Sequence, residues 1–144
     1  MATASKSAAT ASNNQDLGKL VLRVTLGVLI LLHGIAKLIG GPGFIMDLVS
    51  KAGLPAEVAY GVYIGEVLAP VLLIIGAWTR VAALIVAVNM LFALYLVHTS
   101  ELFSLAKTGG WALELQGMYL FGAIAVALLG AGRYSLGGAD GKLN

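Results

Sequence analysis

Seven side chains in this sequence can hold a charge or aim a hydrogen bond from within largely aliphatic surroundings: Arg23, His33, Lys37, Glu66, Asn89, His98 and Glu114. Histidine and a carboxylic acid donate and accept protons. A lysine stabilises developing negative charge. An ionisable side chain in hydrocarbon costs at least about 2.5 kcal/mol, so an acid inside an apolar stretch is a functional-site hypothesis by default. His33 and Glu66 are therefore the candidate catalytic, proton-handling residues. Lys37, Arg23, Asn89, Glu114 and His98 are the candidate ligand-binding residues. Each also has a structural reading: Glu66 in an ion pair, His33 as a hydrogen-bonded core histidine, Asn89 as helix–helix glue, Lys37 snorkelling to the surface, His98 as a loop residue and Glu114 as a helix-start carboxylate. Two histidines and two glutamates could in principle ligate a metal, but they form no close-spaced ligand motif. No metal site is expected.

The elements that must position these groups follow from hydropathy and breakers. Leu17–Ile39 is mostly aliphatic and, at about 1.5 Å per residue, long enough as a helix to cross a bilayer. His33 and Lys37 share one face of it, about 40° apart, and Arg23 returns to that face after close to four turns. Gly27 and Gly34 lie near the same stripe and allow close approach. Gly40, Gly41, Pro42 and Gly43 end the helix. Phe44–Ala52 reads as a short amphipathic helix at the membrane surface. A second span runs from about Val58 to Ala77, where Pro70 cannot donate to the carbonyl of Glu66 and should kink the helix. The short turn Trp78–Arg80 makes a third span, Val81 to about Val97, antiparallel to the second. A polar loop, 99–110, precedes a fourth span from about Trp111 to Gly130. Trp78, Trp111 and Tyr134 read as interfacial anchors.

Composition agrees. The chain is 59% hydrophobic and 11% charged, far below the roughly 25% charged residues of a soluble domain. The predicted fold class is an all-α membrane protein: a four-helix up-and-down transmembrane bundle over 16–136, with a short interfacial helix between spans one and two. Residues 1–15 read as a disordered tail, with Asp16 capping the first helix, and 137–144 as a flexible C-terminal tail. A net charge of +2 without a basic cluster gives no case for nucleic acid. The absence of cysteine excludes disulfides, thiolate relays and iron–sulfur ligation. Basic residues are in excess on the side holding both termini and Arg80, so both termini are expected in the cytoplasm.

In this topology His33, Lys37, Glu66, His98 and Glu114 fall at matched depth in one half of the membrane, the outer half in this orientation. The residues also match a known pattern: Arg23, Gly27, His33, Gly34 and Lys37; then Glu66, Pro70, Gly76, Thr79, Arg80, Ala82 and Ala83; then Gly109, Gly110, Trp111 and Glu114; then the Gly130–Leu136 ending. Across Leu17–Leu136 the chain resembles the DoxX family of small four-span bacterial membrane proteins. The resemblance implies a bacterial inner-membrane protein in a quinone-linked redox or oxidative-stress setting, similar to a subunit of thiosulfate:quinone oxidoreductase. Relatives often carry an acid after the last motif, where this chain has Gly137.

Three readings stand. In the first, the chain is a quinone-binding redox subunit, with the quinone as its cofactor and electrons from a soluble or membrane redox partner. In the second, it is a membrane anchor or assembly protein for a soluble oxidoreductase. In the third, it forms a small-solute transporter as a homo-oligomer.

Overall fold

The computed structural model describes the backbone of residues 2–144 and the side chains of residues 12–144. Five helices carry the fold: α1 Ala2–Gly40, α2 Gly43–Lys51, α3 Ala56–Ile75, α4 Thr79–Val97 and α5 Glu114–Leu129. Among the described residues the only extended pairing is an isolated bridge between Leu105 and Trp111. Three helices are long and apolar enough to cross a membrane: α1 over Ser12–Gly40, α3 and α4. α5 is apolar but only 16 residues long, about 24 Å against a hydrocarbon core of about 30 Å. It starts at Glu114 rather than Trp111 because Trp111 belongs to the preceding loop, where its Nε1–H donates to the Leu102 carbonyl at 2.9 Å.

Glycine in the left-handed region terminates α3 at Gly76, φ 72°. The turn then passes through Trp78, the one described non-glycine residue at positive φ, before α4 starts. The core lies where α1, α3, α4 and α5 meet: Leu26, Ile30, Leu73, Val86 and Val126, with Ala69, Ala82, Ala83 and Ala123 at zero exposure. Small residues at these contacts let helix axes approach closely, the packing expected where lipid removes any hydrophobic drive to associate. Outward-facing positions are large and apolar, among them Val21, Leu32, Leu84, Leu91, Phe121 and Leu128. Such a surface suits a bilayer and not water.

The expected Pro70 kink takes a particular form. α3 opens with a 3₁₀ turn, Ala56–Tyr60, and contains one π-helical turn, Ile64–Leu68, immediately before Ala69 and Pro70. The wide turn accommodates the missing amide and the bulk of the ring at Pro70. It also buries Gly65 and Glu66.

Two terminal expectations are revised. Asp16 lies inside α1 and is not its cap; its carboxylate lies 3.8 Å from Lys19 Nζ and accepts from the Arg133 amide at 3.4 Å. The disorder expected for 1–15 falls mostly on residues outside those whose side chains are described, although the backbone from Ala2 is helical. The segment expected to be a flexible tail is docked on the α3–α4 turn. The Leu136 and Gly137 amides donate to the Ile75 and Gly76 carbonyls, and the Asn144 side chain accepts from Thr79 Oγ1 at 2.9 Å.

Candidate functional site

Glu66 is 3% exposed within the π turn of α3. Lys37 Nζ of α1 donates to both its carboxylate oxygens. Asn89 Nδ2 of α4 donates to Oε1 at 3.2 Å. Three helices thus place one ion pair and one amide on a single carboxylate. Two glycines make this possible. A Cβ at Gly65 would collide with the Asn89 side chain, and a Cβ at Gly34 would collide with the Glu66 carbonyl. Two turns earlier in α1, a Cβ at Gly27 would lie 2.9 Å from the Pro70 carbonyl. The glycines near the polar stripe of α1 therefore admit α3 itself.

Two cavities meet at this cluster. The larger, about 780 Å³, is a half-open groove bounded by the end of α1, α2, α3 and α4. Its walls are apolar, with exposed Phe44, Ile64, Leu84 and Phe92 at its rim, and its polar end is formed by His33, Lys37, Glu66 and Asn89. The smaller, about 230 Å³, lies among α1, α3, α4 and α5, and its wall includes His33, Lys37, Glu66, His98 and Gln116. His33 lines both cavities, with its ring edge-on to Tyr119 at 5.9 Å between centroids and 73° between planes.

The remaining candidates are placed unequally. His98 does reach the cluster, across the smaller cavity; its Nδ1 is 2.6 Å from Glu101 Oε2 and its Nε2 3.2 Å from Gln116 Nε2. Glu114 does not. It is exposed, and its carboxylate folds back over Gly110, where a Cβ would collide with it. Arg23 does not either. Fourteen residues before Lys37, it lies about 21 Å along α1. Its guanidinium donates to the carbonyls of Leu73 and Ile74 at 2.7 Å, of Ala131 at 3.3 Å and of Tyr134. At 1% exposure it clamps the 131–134 segment to the end of α3. Arg80 likewise binds backbone, donating to Ala127 and Leu128 carbonyls at the end of α5 and to that of Asn144.

Tyr119 and Gln116 line the site without having been assigned to it. Their spacing of three on an otherwise aliphatic helix was the available signal, since it puts two polar groups on one face. Among the described residues no three His, Asp or Glu side chains converge as a metal site would need.

The family model described as DoxX matches residues 18–99. A Haemophilus influenzae protein named "Uncharacterized protein" is 32% identical over 115 residues, covering 74% of this chain and 84% of that one. A Bacillus subtilis protein named "Putative oxidoreductase CatD" is 32% identical over 82 residues, covering 57% of this chain and 60% of that one. No solved structure matches.

Proposed function

The chain belongs to the DoxX family, and on that premise we propose that it is a quinone-binding subunit of a membrane redox system. The observation that carries the reading is the shape of the larger cavity: an apolar groove of about 780 Å³, open at an apolar rim, ending on Lys37, Glu66, Asn89 and His33. A lipid-soluble quinone needs an apolar slot for its tail and hydrogen-bond donors for its ring carbonyls. The groove offers the slot; Lys37, Asn89 and His33 offer the donors, and His33 and Glu66 handle protons. When bound, the quinone supplies the two-electron, two-proton redox chemistry. With no cysteine in the chain, the electrons are assigned to a redox partner. The name of the Bacillus relative, an oxidoreductase, agrees with that setting.

In this reading α5 is the fourth span and α2 lies at the membrane surface, turning exposed Phe44 toward lipid and Asp47 and Lys51 toward water. Both termini face the cytoplasm of a bacterial inner membrane, following the basic excess on that side. Reporter fusions at Asn144 and within 99–107 check the orientation; a periplasmic signal at Asn144 overturns it. The function is tested by purifying the protein in mild detergent and extracting it for mass spectrometry. Quinone is expected to co-purify with the native chain and to be lost from Glu66→Gln. Its absence from the native chain, with no binding of an added short-chain quinone, would leave the anchor reading.

A further inference from the structure

We infer that the smaller cavity is a water-filled proton port into the Lys37–Glu66 cluster, and that His98 is the residue that passes protons through its mouth. The use of those protons rests on the quinone reading; the port itself does not.

The two cavities share the same polar end but differ in their walls. The larger opens past exposed apolar side chains. The smaller, about 230 Å³, has a mixed wall: His33, Lys37, Glu66, His98, Gln116 and Tyr119 are six of its eleven lining residues, and the other five are apolar. One water needs roughly 10–15 Å³ of such volume and two to four polar partners. The smaller cavity has room for several waters and six polar side chains in its wall to hold them. An apolar ligand could enter from one direction and water from the other, and both would arrive at His33 and Glu66.

His98 sits where a relay would have to sit. It follows the last turn of α4, and it lines the cavity. Its two ring nitrogens face different ways. Nδ1 is 2.6 Å from Glu101 Oε2, on a side chain 51% exposed to solvent. Nε2 is 3.2 Å from Gln116 Nε2, a residue of the cavity wall. An imidazole with one nitrogen toward bulk water and the other toward an internal cavity can take a proton on one and release one from the other. Gln116 can serve both states, since its amide offers an N–H to a bare Nε2 and, turned over, a C=O to Nε2–H. The charged and titratable groups facing the cavity are His33 and Lys37 from α1, Glu66 from α3 and Tyr119 from α5, with Glu101 outside the mouth.

Each step is a proton transfer and moves no electrons. Glu101 collects a proton from solvent and passes it to Nδ1 of the Nε2–H tautomer, giving the imidazolium. Its Nε2 proton then leaves for cavity water, and that water passes a proton to the His33 ring or to a Glu66 oxygen. One N–H or O–H bond breaks as another forms; His98 is left as the Nδ1–H tautomer, and a flip of the ring resets it.

The native chain contains no cysteine and two histidines, which makes the test direct. Met90→Cys places one thiol in the cavity wall, and Leu91→Cys one on the outer apolar surface, where the native side chain is 53% exposed. Methanethiosulfonates react with the ionised thiol in water. In proteoliposomes a cationic, membrane-impermeant methanethiosulfonate is expected to modify Met90→Cys at least ten-fold faster than Leu91→Cys. Ala93→Cys, on the wall shared by both cavities, repeats the measurement if Met90→Cys does not fold. Equal rates at the wall and the outer surface would overturn the port.

The relay is read separately. In His98→Ala the sole histidine is His33, so nitrogen-15 spectra of its ring report proton exchange with bulk water without overlap. Exchange is expected to slow at least ten-fold relative to the native chain, and added imidazole is expected to restore it. Unchanged exchange, with the port still reactive to the thiol probe, would overturn the role of His98. Neither readout involves quinone, so a failed extraction leaves this result standing and a failed port leaves the extraction standing.

Discussion

Arg23 and Glu66 are both ionisable, both nearly inaccessible and both carried on spanning helices, yet the bundle satisfies them differently. Arg23, at the end holding the α3–α4 turn, gives its hydrogen bonds to four main-chain carbonyls. Those acceptors cannot titrate, and they come from segments that Arg23 thereby ties together. Glu66, at the other end, is held by two side chains from two other helices, Lys37 and Asn89, and borders two cavities. Its partners can move, exchange protons or turn to a ligand. A buried charge paired with backbone closes a structure. One paired with side chains beside empty space is placed for exchange with a ligand.

If the comparison is right, breaking the closed end should cost the most. Hydrogen bonds from a charged donor are worth about 1.5–3 kcal/mol each. Arg23→Ala removes four and should cost more than about 4 kcal/mol, enough to prevent recovery of folded protein. Thermal unfolding in detergent and proteolysis of the 131–144 segment check this. Arg23→Lys should recover little, because a single ammonium cannot replace the planar fork. A stable Arg23→Ala protein would remove the distinction between the ends.

The next effect is steric. Gly34→Ala drives a methyl into the Glu66 carbonyl, which belongs to backbone and cannot swing aside. A loss of about 1–3 kcal/mol is expected from overpacking, together with reduced quinone retention as α1 is pushed off α3. Wild-type stability would mean that the two helices do not approach as closely as the structure shows.

The Lys37–Glu66 pair should be weaker than its geometry suggests, since the Lys37 side chain is 35% exposed and solvent screens such pairs. A double-mutant cycle with Lys37→Met and Glu66→Gln should give a coupling of about 1–2 kcal/mol, within the range of contacting residues. Additivity within about 0.3 kcal/mol would show that the side chains do not meet. Coupling without any effect on quinone retention would favour the anchor reading.

The smallest stability change should come from Pro70→Ala, within about 1 kcal/mol. Restoring the amide lets the π turn relax to an α turn and re-aims Glu66, so ligand retention should fall although the protein remains folded. Unchanged retention would detach the π turn from the site.

The sequence made one end of the bundle far more legible than the other. Lys37 and Glu66 could be brought together by depth alone, because side-chain partners in a membrane must lie on residues whose polarity stands out against aliphatic neighbours; Asn89 stood out by polarity and not by depth. The surroundings of Arg23 were illegible for the converse reason. Its partners are the carbonyls of Leu73, Ile74, Ala131 and Tyr134, and a carbonyl is present at every position and marks none. The docking of Asn144 on Thr79 was hidden in the same way, inside a Gly-rich segment that composition reads as loose. Glu114 had the right depth but the wrong direction, since its carboxylate turns to the loop at Gly110. Pro70 announced a distortion, but the choice between a kink and a widened turn depends on what packs beside it.

Beside the widened turn, at Glu66, sits Gly34, and its contact fixes more than a distance. With Gly34 seated on the Glu66 carbonyl, α1 has one angular setting against α3. Successive residues of a helix point about 100° apart, so rotation of α1 by one residue would bring a Cβ into that seat. Gly34 therefore acts as an index mark that clocks the helix, and Lys37, three residues on, inherits its aim from it. Any motion accompanying ligand entry must then be a tilt or a hinge that keeps the mark engaged. A screw movement of α1 is forbidden by a residue that touches no ligand.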